Sequence, residues 1–392
     1  MTRRHLDDLS LPGGRWAYDP AMTASTAVQA TADAPPRRRL AVESEALLAG
    51  AVAAGVTGLI ALLLFAGGVW PLWGGLSVGL VAAVAVLLVG LGAGATGYWR
   101  SRNLPGQEWR HRLKPWKFSV DVGTVAAVHA IIGFILTMVV FVMLQRSFEG
   151  LVVDVWTSMG AVAVASGLAA YWIYLSVSSI TTPKLAMLLI VFMASATLAS
   201  MATAQDPQWW EYHFSQLGTA DDFSSSLFNL ALIIGGAFVT TFALYVDRDL
   251  TTLVKQGVLE RPSAPRVVSV VFIIMGVLLA GVGLVPVNVS TPIHNLCAVG
   301  MSISFLALLI GSPWILRGMP RRFFVFCTGG IVLLLASAVL FEPLGYYNLT
   351  AFELAAFSII FGWISVFIRF VSALTVPSTD AAAGVADVAR AA

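Results

Sequence analysis

The sequence predicts an all-α, polytopic transmembrane helical bundle, and three observations do so. Hydrophobic residues make up 58% of the 392 and charged residues 11%, against about 25% charged in soluble domains. The apolar residues gather in runs of about twenty, the length that crosses a hydrocarbon core. Within those runs apolar and polar residues do not alternate, which excludes a transmembrane β-barrel.

Residues 1–44 are polar, contain Pro35-Pro36 and Arg37-Arg38-Arg39, and lack an apolar face. They are expected to form a disordered cytoplasmic tail. Arg3-Arg4 is not followed by an apolar segment, and the first apolar run is too long for a signal-peptide core, so an uncleaved first helix is expected. Ten spans follow, at 46–67, 73–97, 121–144, 157–179, 184–203, 224–246, 267–286, 294–316, 323–341 and 351–374. Four fall in a region 45–180 and six in a region 181–375, and the Ala-rich 376–392 is expected to be a second disordered tail. The link Val69-Trp70-Pro71-Leu72 is very short, which predicts a tight hairpin of the first two helices.

With the N-terminus in the cytoplasm and the spans alternating, every one of the 23 Lys and Arg residues except Arg146 falls on the cytoplasmic side. That asymmetry predicts a multi-pass plasma-membrane protein with both termini inside. Trp70, Trp73, Trp156, Trp209 and Trp210 fall near the outer boundary, and Trp99, Trp109, Trp116 and Trp314 near the inner one, the belt positions that suit amphipathic rings. Acidic Glu149, Asp154, Asp206, Glu211, Asp221, Asp222, Glu342 and Glu353 collect outside. Acids carry little topological weight there, so their gathering does not itself predict a cation site.

A net charge of +2 implies no nucleic-acid partner. The inner loop 98–120 interleaves Trp109 and Trp116 with basic residues, among them Arg110, Arg112, Lys114 and Lys117. Beside a membrane such a set is expected to hold anionic lipid headgroups, at about 1 kcal/mol per basic residue. Cys297 and Cys327 lie at different depths and are expected to stay free thiols.

The chemistry-bearing stretch is Trp209-Trp210-Glu211-Tyr212-His213-Phe214-Ser215-Gln216-Leu217-Gly218, between the fifth and sixth spans. His294 and Asn295 at the start of the eighth span and Glu353 at the start of the tenth open on the same side. His213, Ser215, His294 and Glu353 are the catalytic candidates, with Tyr212, Asn229 and Asn295 as ligand contacts. Ionisable groups near lipid are costly unless they meet partners or water, so the four are expected to share one outer-leaflet pocket. A Ser beside a His can be a nucleophile and base. No GxSxG elbow surrounds Ser215, however, and a loop-pinning role for it, with Gly218 supplying a sharp turn, is the simpler expectation. Without HxxxH or HxxE spacing, no metal and no other cofactor is expected. His129, well inside the third span, is expected to make an interhelical hydrogen bond.

Ser215-Gln216-Leu217-Gly218, Phe228-Asn229, His294 and Glu353-Leu354 stand in the order and helix spacing of a bacterial membrane family. On these motifs residues 183–374 resemble the family called domain of unknown function 998, related to the Frag/DRAM/Sfk group. Gln216 replaces a frequent Glu and Leu354 the usual Arg, which removes an acid role at 216 and a Glu-Arg pair at 353–354. The resemblance implies a six-helix membrane protein without an assigned reaction, and its distant relatives hint at lipids. Residues 46–179 carry none of these motifs. The favoured function is the handling of a lipid or cell-envelope precursor through an outward-facing polar pocket. The alternatives are an outer-leaflet hydrolase or acyltransferase and a non-catalytic membrane scaffold.

Overall fold

A computed structural model describes residues 36–104 and 106–375, so residues 1–35 and 376–392 of the expected tails lie outside it. Ten long apolar helices are present among the described residues, each able to cross a membrane by length and composition. They are α1 (Pro36–Leu64), α2 (Val78–Ser101), α3 (Pro115–Ser147), α4 (Val155–Ser178), α5 (Thr182–Thr203), α6 (Phe223–Lys255), α7 (Ala264–Leu284), α8 (Thr291–Ile315), α9 (Arg321–Phe341) and α10 (Leu349–Thr375). The protein is a multi-pass helical membrane protein.

Local chemistry sets the helix starts. Ser77, Asp154, Thr181 and Asp222 each accept a hydrogen bond from the backbone N–H three residues on, satisfying donors that the first turn leaves free. Pro stands in the first turn of α3, α5, α7 and α8, where its missing N–H costs nothing. Several boundaries differ from expectation, two of them by the widest margin. Residues 36–44, assigned to the tail, are helical. Glu43 and Glu45 explain the extension, because Tyr171 and Tyr174 of α4 donate hydrogen bonds to them. Helix α6 continues past 246 through Asp247, Arg248 and Asp249 to Lys255. Arg248 is paired there with Asp249 and lies over the Trp109 and Tyr245 rings.

The expected α1–α2 hairpin is corrected. The link runs over 65–77, and α1 lies chiefly against α4, with α2 packed on α3 and α4. A two-residue strand β1 (Trp70–Pro71) inside the link pairs antiparallel with β2 (Val152–Val153), holding the α1–α2 and α3–α4 links together. Gly67, Gly74 and Gly75 take positive φ there, so the chain turns where other residues would strain.

Helices α5 to α10 close a ring, each against its successor, with α10 returning onto α5 and α6. Helix α3 carries the first four helices onto this ring at α5 and α6. The tightest crossing is α6 on α7, where a Cβ at Gly236 would stand 2.3 Å from the Gly276 carbonyl oxygen. Small residues at such points let helix backbones approach closely. The links alternate between two ends of the bundle. One end carries the links before α2, α4, α6, α8 and α10, and the site described next. The other carries Arg100, Arg102 and the 3-10 turn Glu108–Arg112, and is called the basic end.

Candidate functional site

Helix α5 ends at Thr203, and the chain then makes two 3-10 turns, Trp209–Glu211 and Phe214–Gly218, before Asp222 caps α6. The second turn is seated by aromatic packing. Phe214 is buried against Phe228 of α6 and Phe357 of α10, at ring-centroid distances of 5.2 and 6.1 Å. With Phe214 fixed, Ser215 is held half-buried at the end of the bundle.

His294 is buried in the first turn of α8, with its ring spanning two loops. Its Nδ1 lies 2.9 Å from the Val285 carbonyl oxygen and its Nε2 2.9 Å from Ser215 Oγ. A carbonyl only accepts, so Nδ1 carries the proton of the neutral ring and Nε2 is the acceptor. The Ser215 hydroxyl therefore donates to His294. This is the nucleophile–base–orienter order, with a backbone carbonyl as the orienting member.

Glu353, in the first turns of α10, accepts a hydrogen bond from the Phe214 N–H, at 2.6 Å to Oε2. It holds the peptide next to Ser215, and the hydrogen bonds of the His294 ring go elsewhere. His213 is half-buried and has no hydrogen-bonding partner for its ring among the described residues. Burial, and then the neighbouring His294, lower its pKa below the ordinary value.

The structure thus brings Ser215 and His294 into contact, sets Glu353 one residue away, and leaves His213 beside them. Tyr212 and Asn295, expected as ligand contacts, are exposed at the rim. Asn229 instead points into the protein, where its Nδ2 donates to the Gly218 carbonyl at 2.9 Å. That contact also accounts for Gly218. Its φ is not positive, contrary to the sharp-turn expectation. A Cβ there would meet Asn229 Oδ1 at 2.4 Å. Gly218 and Asn229 form one contact between the turn and α6.

Arg110 is a correction. The headgroup expectation for Arg112, Lys114 and Lys117 does not extend to it, because it is 1% exposed. Its guanidinium lies 4.2 Å over the Tyr98 ring, and Nη1 donates to Ser101 Oγ at 2.9 Å. An arginine stem and planar head can be buried by aromatic faces in this way. Arg112 and Lys114 remain exposed, and Lys117 half-exposed.

Two ties across the site end have no counterpart among the sequence-derived candidates. Asn288 Nδ2 donates to the Thr219 carbonyl at 3.0 Å, and Asn348 Nδ2 to the Trp210 carbonyl at 2.6 Å. Both asparagines stand out in sequence only as N-x-S/T triplets; their signal was an amide in each of two short links on the same side. Among the described residues no group of three or more His, Cys, Asp and Glu side chains is arranged to hold a metal ion. Cys297 and Cys327 are free.

Residues 185–369 match the family described as Protein of unknown function (DUF998). The six-helix part of the chain is thus similar to the DUF998 family. No curated protein and no solved structure matches the chain. The DUF998 region runs from α5 to most of α10. Ser215, His294 and Glu353 all lie within it, as does the Gly218–Asn229 contact.

Proposed function

We propose that the DUF998 region is an acyl-transfer site. It acts on the ester or amide of a lipid or envelope component, at the outer boundary of the plasma membrane. The observation that carries this reading is the 2.9 Å hydrogen bond from Ser215 to His294 Nε2, with Nδ1 held by the Val285 carbonyl. Ser215 Oγ attacks the acyl carbon as its proton passes to His294 Nε2. The imidazolium then returns that proton to the leaving alcohol or amine. Water or a second alcohol, deprotonated by the same nitrogen, releases the acyl group from Ser215. Glu353 and the Val285 carbonyl are positioning groups. A neutral His213, favoured by its burial, spares the imidazolium a like charge.

The position favours an amphiphile. Ser215 sits on a loop between two membrane spans, beside Tyr212, which is 60% exposed. A substrate lying in the interface would present its ester there while its chains stay in the bilayer. The chain also contains an internal control. His129 makes the same pair of bonds, to the Val125 carbonyl at 2.8 Å and to Ser176 Oγ at 2.9 Å. That pair lies inside the helices, where it serves as interhelical glue.

The test is hydrolysis of dispersed lipid and short-chain esters by the purified full chain. Ser215→Ala should abolish turnover. His294→Ala should lower it roughly a hundred- to ten-thousandfold, the usual share of a general base. Ser176→Ala should leave it unchanged. A second reading, a non-catalytic cap, is favoured by the Asn288 and Asn348 ties, which knit the same loops. On that reading Ser215→Ala and His294→Ala lower stability and no esterase activity exists to lose.

A further inference from the structure

At the basic end, far along the helices from Ser215, two cavities lie side by side between α1, α2 and α4. One, of about 480 Å³, has walls of Leu48, Ala49 and Val52 from α1, Ala95 and Trp99 from α2, and Val122 from α3. The other, of about 260 Å³, holds Arg38, Arg100, Asn103 and Ser178. Glu45, Arg100 and Tyr174 border both, so the two are one groove with an apolar length and a polar head. The larger cavity falls within the roughly 300–1,000 Å³ of small-molecule sites.

We propose that this groove binds one anionic glycerophospholipid, with an acyl chain along Ala49 and Ala95 and the phosphodiester at Arg38 and Arg100. Each part of the lipid meets its own chemistry. The apolar walls belong to membrane-spanning helices, and Leu48 and Val52 are more than half exposed, open to the hydrocarbon. Lipid chains are as apolar as these side chains, so they fill such a gap without cost. The head carries two arginines against a single carboxylate. Glu45 already receives the Arg100 guanidinium at 2.6 Å and the Tyr174 hydroxyl. Its charge is therefore engaged, and Arg38 is left as the excess positive charge. The Arg100 side chain is 64% exposed, which leaves its other donors accessible to a phosphate. A zwitterionic headgroup would bring an ammonium to the same two arginines. The site lies outside the DUF998 region and does not depend on the acyl-transfer reading.

The experiment uses the full chain in nanodiscs of equal phosphatidylglycerol and phosphatidylcholine, with retained lipids read by native mass spectrometry. One phosphatidylglycerol should stay bound in preference to phosphatidylcholine. Arg38→Gln with Arg100→Gln should lower that retention at least about fivefold, the weight of one basic residue near an anionic headgroup. Ala49→Trp, which fills the groove, should remove the bound lipid of either class. Arg321→Gln with Arg322→Gln, exposed basic residues at the start of α9 that line neither cavity, should leave retention unchanged. Three results would overturn the site: no preference for phosphatidylglycerol in the natural chain, an equal loss from the Arg321/Arg322 pair, or lipid retained only after removal of residues 1–35. The last would make the N-terminal segment the occupant.

Discussion

His294 Nε2 lies 2.9 Å from Ser215 Oγ although 79 residues separate them in the chain. The turn that carries Ser215 follows α5 and the ring that faces it begins α8, so the contact exists only once the six-helix ring has closed. His129 and Ser176 show that this chain also uses Ser–His bonds as interhelical ties. The two pairs differ in surroundings. The first joins half-buried loop to helix start at the bundle end, and the second joins two helix interiors.

Gly218→Ala is expected to damage the site without touching its reacting groups. The new Cβ would meet Asn229 Oδ1 at 2.4 Å, so the Asn229–Gly218 bond must open and the Ser215 turn must shift. Overpacking of this kind costs about 1–3 kcal/mol. Thermal melts in detergent should show the loss, and Gly218→Ala combined with Asn229→Ala should recover part of it.

Glu353 is expected to matter through the Phe214 N–H. Glu353→Gln keeps an acceptor there, whereas Glu353→Ala leaves a buried donor unsatisfied at a cost of about 1–3 kcal/mol. Melting temperatures should rank natural above Gln above Ala. Equal values for Gln and Ala would mean that the 2.6 Å bond contributes nothing.

His213 predicts a weakness on the acid side. Burial lowers its folded-state pKa below the ordinary 6.5, so as pH falls the unfolded chain takes up the proton first. The stability is complete above about pH 6.5 and declines as pH falls below it, until the folded ring also protonates. Melting between about pH 7.5 and about pH 5.5 should therefore drop less for His213→Asn than for the natural chain. Parallel curves would remove this account.

The proposed orientation is tested by labelling. Tyr346 and Val289, 78% and 71% exposed, lie on links at the site end, and Lys255 lies at the opposite end of α6. In a background without Cys297 and Cys327, single cysteines at 346 and 289 should react with an impermeant thiol reagent on intact cells, and one at 255 should not. Reaction at 255 alone would invert the orientation.

Much of the fold was legible because the signals are local. The ten apolar runs and the polar breaks between them read directly as helices and links. The Ser215, Asn229, His294 and Glu353 positions stood out because polar groups recur at one end of successive spans. Partner choice was not legible. Nothing in 65–77 announces that α1 lies on α4, because the β1–β2 pairing links residues 70–71 with 152–153. Burial of Arg110 depends on Tyr98 and Tyr245 arriving from different helices. Only the charge of an arginine is visible in sequence, and its aromatic surroundings are not. The start of α1 was missed for the same reason, since Glu43 and Glu45 look like tail residues until Tyr171 and Tyr174 stand opposite them.

The acyl-transfer reading turns on whether Ser215 is nucleophilic. The direct measurement is covalent labelling of the full chain by a fluorophosphonate, with the modified residue located by mass spectrometry. The account predicts an adduct on Ser215 and none on Ser176, with the labelling disappearing in His294→Ala. A folded chain that forms no adduct at Ser215, or one that labels Ser215 equally well in His294→Ala, would contradict it.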